Sequence, residues 1–242
     1  MSKADLDLKK LPRHIAVIMD GNGRWAEKNG LTHAQGHEAG AKSVRAIVEG
    51  CRDLGGIRSL SLYAFSTENW RRSEAEVTAL FRLLTRYIKQ EIEDLHKEGI
   101  RVVFMGRSDG LADELLSDMG GAMQKTDEND EMILNLGINY GSRAEIVDAC
   151  QAIAREVAEG KLRAEDIDEA CIGQHLYVPE IQDVDLLIRT SGEMRISNFM
   201  NWQLAYSEIV VTNTLWPDFR KRHLYECIRT FQSRRRRFGG RR

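Results

Sequence analysis

His14-Ile15-Ala16-Val17-Ile18-Met19-Asp20-Gly21-Asn22-Gly23-Arg24-Trp25 is the stretch whose reading decides the fold. The run Ile15 to Met19 is too short for a helix and reads as a strand buried on both faces. Asp20 ends it abruptly, so a carboxylate stands at the carboxyl end of a strand, where open parallel sheets place their ligands. Gly21 and Gly23 allow a tight turn and a close approach of backbone to ligand. The turn opens a helix, whose free N–H groups and positive dipole end suit a phosphate. Arg24 can clamp that phosphate with a bidentate guanidinium. Asp20 would repel the phosphate unless a cation bridges them, which implies Mg²⁺. On these residues alone a phosphate-and-metal site and an ordinary tight strand-to-helix turn both stand.

Outward from that turn the pattern alternates. Trp25 to Asn29 reads as a short helix, Leu31 to Gln35 as a connector, and Gly36 to Leu54 as a helix with Ala41, Val44, Ile47, Val48 and Cys51 on one stripe. Ser59 to Phe65 is the second strand, and Ser66 to Arg72 a polar loop at its carboxyl end. Ser73 caps a long helix, with Glu76 completing a capping box. Val77, Leu80, Phe81, Leu84, Ile88, Ile92 and Leu95 line its inner face. Ile100 to Met105 is the third strand, and Leu111 to Lys125 a helix interrupted by Gly120-Gly121. Met132 to Ile138 is the fourth strand, leaving through Asn139 to Arg143. Helices are expected over Ala144 to Glu159, Ala164 to His175 and Phe199 to Tyr206. Val184 to Ile188 and Glu208 to Thr212 are the fifth and sixth strands, and Asp218 to Arg237 closes the chain as a helix and basic end.

This alternation argues an α/β fold: one domain over residues 1–242, with a mostly parallel six-stranded sheet flanked by helices. Residues 1–12 read as a flexible terminus and 234–242 as a basic tail. The chain has 242 residues, 42% hydrophobic and 30% charged, enough for a sizeable core. Its net charge of -2 gives no bulk field for nucleic acid. Cys51, Cys150, Cys171 and Cys227 are scattered without a C-x-x-C pair, so neither zinc nor a disulfide framework is expected. Reduced thiols, an N-terminus without an apolar h-region and the lack of a membrane-length apolar run make a cytoplasmic setting the expectation.

Polar residues gather where strands exit: Asp20, Ser66, Asn69, Asn139 and Arg189. Arg189 directly follows a buried strand, where a charge is costly without a partner. With Arg195 and Ser197 it could hold a second polyanion, or Arg195 and Glu193 could be a solvated pair and Ser197 an N-cap. Glu208 needs a partner or a metal, and alone reads as an ion pair. His33 and His37 stand four apart, but Gly36 argues against a zinc pair on one helix. His37 reads equally as a phosphate donor or a surface histidine. The apolar stripe from Val77 to Leu95 is core, or also the wall of an apolar cleft. There is no P-loop, no D-x-D, no G-x-S-x-G elbow and no D-D-x-x-D pair.

Taken together these residues resemble the cis-prenyltransferases, from His14 to Gly240. The matching stretches are Ile18 to Ala26, Gly36 to Gly40, Tyr63 to Trp70, Asn139 to Gly141, Ile188 to Glu193, Arg195 to Phe199, Leu215 to Phe219 and Arg237 to Gly239. The resemblance implies a homodimer that adds isopentenyl diphosphate to an allylic diphosphate such as farnesyl diphosphate. The product would be a long Z-polyprenyl diphosphate such as undecaprenyl diphosphate, a lipid-carrier precursor for cell-wall synthesis. It implies Mg²⁺ as cofactor, an apolar tunnel between sheet and helices, no nucleic acid, and at most peripheral membrane contact through the product.

By that resemblance Asp20 handles Mg²⁺ and diphosphate. Gly21, Asn22, Gly23, Arg24, Trp25, His33, His37 and Arg72 hold the allylic diphosphate. Ser66, Glu68, Trp70, Arg189, Arg195, Ser197, Arg237 and Gly239 serve isopentenyl diphosphate, and Glu208 is a second metal ligand supplied across the dimer. Ser66, Glu68, Asn69, Trp70 and Arg72 resemble a mobile catalytic loop, in which the proton acceptor is Asn69, Ser66 or a diphosphate oxygen. Two positions depart from the pattern: His33 replaces an arginine, and Ser73 a proline. The competing expectation is a non-catalytic partner subunit, and the intact Asp20, Asn22 and Arg24 argue against it.

Overall fold

A computed structural model describes residues 2–181 and 183–236. Its strands are β1 (His14–Ile18), β2 (Ser59–Ser66), β3 (Ile100–Met105), β4 (Met132–Tyr140), β5 (Leu186–Arg189) and β6 (Glu208–Val211). Its helices are α1 (Asn22–Lys28), α2 (His33–Leu54), α3 (Glu74–Lys97), α4 (Asp113–Thr126), α5 (Ser142–Ala158), α6 (Glu169–Gln174) and α7 (Lys221–Ser233). The strands form one sheet in the order β3-β4-β2-β1-β5-β6, and every neighbouring pair is parallel.

Side-chain alternation covers both faces of that sheet. Ile15 and Val17 of β1 face α2 and α7, where Ile47, Val48, Cys51, Leu224 and Ile228 complete the larger core. Ala16 and Ile18 face the other way, onto Phe199, Met200, Ile181 and Val184. All five residues of β1 are buried, as its continuous apolar run requires. β1 continues towards β2 on one side, while β5 lies on its other side and continues to β6. The crevice between the ends of β1 and β5 is thus a topological switch point, and Ile18 pairs with Arg189 there.

Several local expectations are corrected. The Leu31 to Gln35 connector is shorter, because Thr32 caps α2 by accepting a hydrogen bond from the Gln35 N–H at 3.3 Å. Gly120 and Gly121 do not interrupt α4; both are exposed, with nothing beside them for a side chain to miss. The helix expected over Ala164 to His175 is a 3₁₀ turn, Ala164–Asp166, followed by α6, which Asp168 caps. Phe199 to Tyr206 is a series of turns. Ser197, Asn198 and Met200 there have φ of 49°, 61° and 47°, incompatible with a helix start. Ser197 is therefore no N-cap. Asn139 and Tyr140 belong to β4 rather than to its exit turn. At the N-terminus, Leu6 is buried in the core and Gln232 of α7 bonds the backbone at Asp7 and Lys10.

The Gly36 to Gly40 stretch sets how closely α1 approaches α2. A Cβ on Gly36 would lie 2.3 Å from the Asn22 carbonyl oxygen, and one on Gly40 would lie 2.4 Å from Asn22 Oδ1 and 2.8 Å from the Trp216 ring. The Asn22 backbone cannot yield without moving the Asp20 turn. Gly36→Ala is expected to cost about 2 kcal/mol of stability by overpacking and to weaken binding of the phosphate anion expected at that turn. Denaturant unfolding and phosphate titration check both.

Candidate active site

Asp20 stands just past β1 in the switch-point crevice. Its backbone is pinned on both sides: the Thr190 hydroxyl donates to the Asp20 carbonyl at 2.6 Å, and the Trp216 N–H donates to it at 3.1 Å. Gly21 follows with φ 107°, packed so tightly on Leu215 and Ser191 that a Cβ would meet them at 2.9 Å and 3.0 Å. α1 starts at Asn22, so its free N–H groups open beside the carboxylate, as the turn chemistry expects. The Asn22 side chain donates to the Met19 carbonyl at 3.2 Å and locks the turn.

Three charged groups converge there. Arg189 is buried, and its Nη2 donates to Asp20 Oδ2 at 2.9 Å. Its Nη1 donates to the Arg195 carbonyl and, at 2.7 Å, to Ser197 Oγ. Arg24 lies 3.4 Å from the other Asp20 oxygen and 3.6 Å from Glu193, and donates to the Ser191 carbonyl at 3.0 Å and to the Ser191 hydroxyl. Burial raises the pKa of Asp20, but the Arg189 hydrogen bond and charge, with Arg24 behind them, outweigh it and hold the carboxyl below its usual range. Asp20 is thus an anion at neutral pH, framed by two guanidiniums.

Across the cavity mouth, His37 Nε2 lies 3.5 Å from Arg72 Nη1, and Arg72 also donates to Glu76 at 2.8 Å. Burial, reinforced by the Arg72 charge, lowers the His37 pKa to about 4. His37 is therefore neutral at pH 7 and can donate one N–H without adding charge. His33 begins α2 over Gly23, its Nε2 3.2 Å from Glu27.

Asp20, Gly21, Asn22, Gly23, Arg24, His33, His37, Ser66, Asn69, Arg72, Arg189 and Ser197 all line one cavity of about 660 Å³. Its mouth is polar. Behind the mouth it continues between α2, α3 and the sheet along Val44, Leu84, Ile88, Ile92, Leu134 and Leu136, and reaches Leu95, Val102 and Ala122. The apolar stripe of α3 is thus a cavity wall as well as core. α3 contributes from Glu76 to Leu95, a span of about 28 Å at the rise of an α-helix.

Other expected site residues stand outside that cavity. Trp25 donates to Asp218 at 2.9 Å. Glu68 accepts from Asn198 at 3.0 Å, and Trp70 donates to Asn139 at 2.7 Å. Arg195 pairs with Glu193 at 2.6 Å, its side chain 65% exposed. Glu208 starts β6 opposite Leu186, at the other end of the sheet from Asp20, and bonds Arg234 at 2.7 Å. Within one chain it is an ion-pair partner. Arg237 and Gly239 lie outside the described residues. Sequence reasoning gave no role to Thr190, Ser191 or Trp216, which fix Asp20 and Arg24. Their presence in the Ile188 to Glu193 and Leu215 to Phe219 stretches was the only signal.

The comparisons with known proteins agree with this geometry. Residues 18–239 match the family model described as "Putative undecaprenyl diphosphate synthase". An isoprenyl transferase of Heliobacterium mobile is 48% identical over 235 residues, covering 97% of this chain and 90% of that protein. Lavandulyl diphosphate synthase from Lavandula x intermedia, solved in complex with dimethylallyl diphosphate, superposes with a TM-score of 0.92 at 34% identity, over 96% of this chain and 100% of that one. A probable undecaprenyl diphosphate synthase from Campylobacter jejuni gives a TM-score of 0.78 at 35% identity, over 95% and 99%. A carboxylate framed by guanidiniums at the mouth of an apolar cavity, on a chain so matched from end to end, places this protein in the undecaprenyl diphosphate synthase family of cis-prenyltransferases.

Proposed function

We propose that this chain is a Mg²⁺-dependent cis-prenyltransferase that elongates an allylic diphosphate, farnesyl diphosphate first, with successive isopentenyl diphosphate units, and that it works as a homodimer. The observation that carries this reading is the joining of an anion-binding mouth to a long apolar cavity. A prenyl diphosphate has that same division, a polyanionic head and a hydrocarbon tail.

The N–H groups opening α1, Arg24, His37 and Arg72 would hold the allylic diphosphate, and Arg189, Arg195 and Ser197 the isopentenyl diphosphate. Fixing both heads turns an encounter into an oriented reaction. The leaving group carries strong negative charge, which pre-aimed guanidiniums and amides stabilise. Among the described residues no group of three His, Cys, Asp or Glu side chains gathers to hold a metal. Asp20 alone still fits Mg²⁺, which is commonly held by one or two carboxylates together with substrate phosphates. When bound there, the ion neutralises diphosphate charge and polarises the departing oxygen. Ser66 and Asn69 are poor bases at neutral pH, so a diphosphate oxygen takes the proton with these two beside it. For the homodimer, the support is the exposed edge at β6, where Ile209 and Tyr206 are 43% and 64% exposed. The described residues include no helix long and apolar enough to cross a membrane.

The test is incubation of the protein with farnesyl diphosphate, labelled isopentenyl diphosphate and Mg²⁺, reading product length by chromatography. A polyprenyl ladder that requires Mg²⁺ is expected; no product with any allylic primer would overturn the reading. Leu84→Trp is expected to place an indole in the cavity and shorten the ladder while leaving the first condensation rate unchanged. An unshifted ladder would remove Leu84 from the tunnel wall.

A further inference from the structure

We infer that Asn139 is the positioning residue of the Ser66–Arg72 segment, holding Trp70 and the β3–α4 turn in one rigid mount. The inference rests on the proposed function, which makes that segment catalytic.

Asn139 is 5% exposed and has a φ of 50°, a backbone state that asparagine tolerates and most residues do not. That conformation turns its side chain out of the β4 ladder. The amide then meets three partners. Its Oδ1 accepts from the Trp70 indole N–H at 2.7 Å. Its Nδ2 donates to the Arg107 carbonyl at 3.1 Å and the Asp109 carbonyl at 3.0 Å. Its backbone carbonyl accepts from the Arg107 N–H at 3.2 Å. Asn139 thus joins the Ser66–Arg72 segment to the β3–α4 turn through a single amide.

The mount is closely built on every side. A Cβ on Gly106 would lie 1.8 Å from the Ile138 carbonyl oxygen, so the β3–α4 turn crosses the end of β4 with no room to spare. Gly110 lies flush under Trp70, where a Cβ would meet the ring at 3.4 Å. Phe65 and Phe81 both hold the indole by edge contacts, their centroids 5.3 Å and 5.4 Å from it. Phe81 also lines the cavity. The neighbouring Asn69 accepts from the Ser66 N–H at 2.9 Å, so fixing Trp70 fixes the small turn that carries Ser66 and Asn69. Trp70 itself remains 39% exposed. Packing alone therefore leaves it partly free, and the Asn139 acceptor sets its orientation.

Asn139→Gly tests this cleanly, because glycine keeps the positive φ and loses only the side chain. It is compared with Trp70→Phe, which loses the indole N–H, and with the double variant. Each single variant is expected to lower kcat of the first condensation about tenfold through misplacement of the segment. The KM for the allylic diphosphate should change less than kcat, since of its proposed holders only Arg72 belongs to the segment and the Asp20 turn is untouched. The double variant is expected to be no worse than the poorer single one, since both remove the same bond.

Labelled tryptophan gives a readout that does not need activity. The chain has 4 tryptophans. The indole N–H signal missing in Trp70→Phe identifies Trp70, and in Asn139→Gly that signal should shift and lose its protection from exchange. A kcat within twofold of wild type in folded Asn139→Gly, multiplying effects in the double variant, or an unmoved indole signal would overturn the inference. If Asn139→Gly fails to fold, Trp70→Phe decides it: a wild-type kcat there overturns it. An inactive wild type would count against the proposed function instead, and the indole signal alone would then judge the mount.

Discussion

Asp20→Asn is expected to lower kcat by about a thousandfold while leaving KM for both diphosphates unchanged or reduced. The two effects part because Asp20 opposes the substrates in the ground state. It is an anion beside two proposed diphosphate sites, and it occupies Arg189 at 2.9 Å and Arg24 at 3.4 Å. Asparagine keeps the size of the side chain, and the backbone carbonyl stays held by Thr190 and Trp216. It removes the charge, so both guanidiniums become freer to bind substrate phosphate. Ground-state binding therefore does not suffer. What is lost is the carboxylate that would hold Mg²⁺ where charge develops on the leaving group, an interaction that matters most in the transition state. Steady-state kinetics for each substrate in turn would show the split. A raised KM at unchanged kcat would mean that Asp20 only organises the binding site. Loss of the folded state instead would show as a lowered melting temperature.

Much of this site was legible because it obeys short-range rules. Ile15 to Met19 is uniformly apolar because β1 is covered on both faces, and a strand so covered ends where the first charge appears. Asp20 and Arg189 could each be placed at a strand's end from sequence. That they face one another depends on β1 lying beside β5, a pairing between residues 18 and 189 that no local pattern encodes. The turns at Phe199 to Tyr206 failed for a similar reason. Their composition suits a helix, but Asn198 accepts from the Arg143 N–H at 2.9 Å and its carbonyl accepts from the Ser142 N–H at 2.8 Å. Those bonds to the start of α5 hold Ser197, Asn198 and Met200 in left-handed conformations and bring the Ser197 hydroxyl to Arg189. Tertiary partners override local propensity there. Thr32 and Gln35 were a readable capping box, obscured by Gly36, whose reason is close contact with α1. The cavity was half legible: the α3 stripe was plain, but a stripe cannot say whether it meets side chains or a void.

Arg189→Met is expected to be nearly as damaging as loss of Asp20, by a different route. Methionine fills much of the same volume, so the change isolates the guanidinium. That group is buried and bonds three partners: Asp20, the Arg195 carbonyl and Ser197. Its removal leaves Asp20 with burial opposing its charge and only Arg24 and the Ser191 hydroxyl to offset it. Breaking such a pair costs on the order of 3 kcal/mol where the partner is largely buried, and Asp20, 29% exposed, should cost less. The larger effect is on pH dependence. In the wild type the Asp20 pKa is depressed, so its ionisation adds stability above the unfolded-state pKa, lost as pH falls through the folded value. Without Arg189 the pKa rises. The stability gained on going from acid to neutral pH then shrinks, and the acid limb of kcat/KM moves to higher pH. A variant that lost only a phosphate contact would instead raise KM for isopentenyl diphosphate and keep the wild-type acid limb. Measuring kcat/KM from pH 3 to pH 8 separates the two. The distinction matters for the chemistry, because Arg189 bonds both Asp20, the proposed catalytic carboxylate, and Ser197 of the proposed second diphosphate site. If the acid limb moves together with the rate, Arg189 acts by keeping Asp20 ionised for a metal as well as by holding substrate.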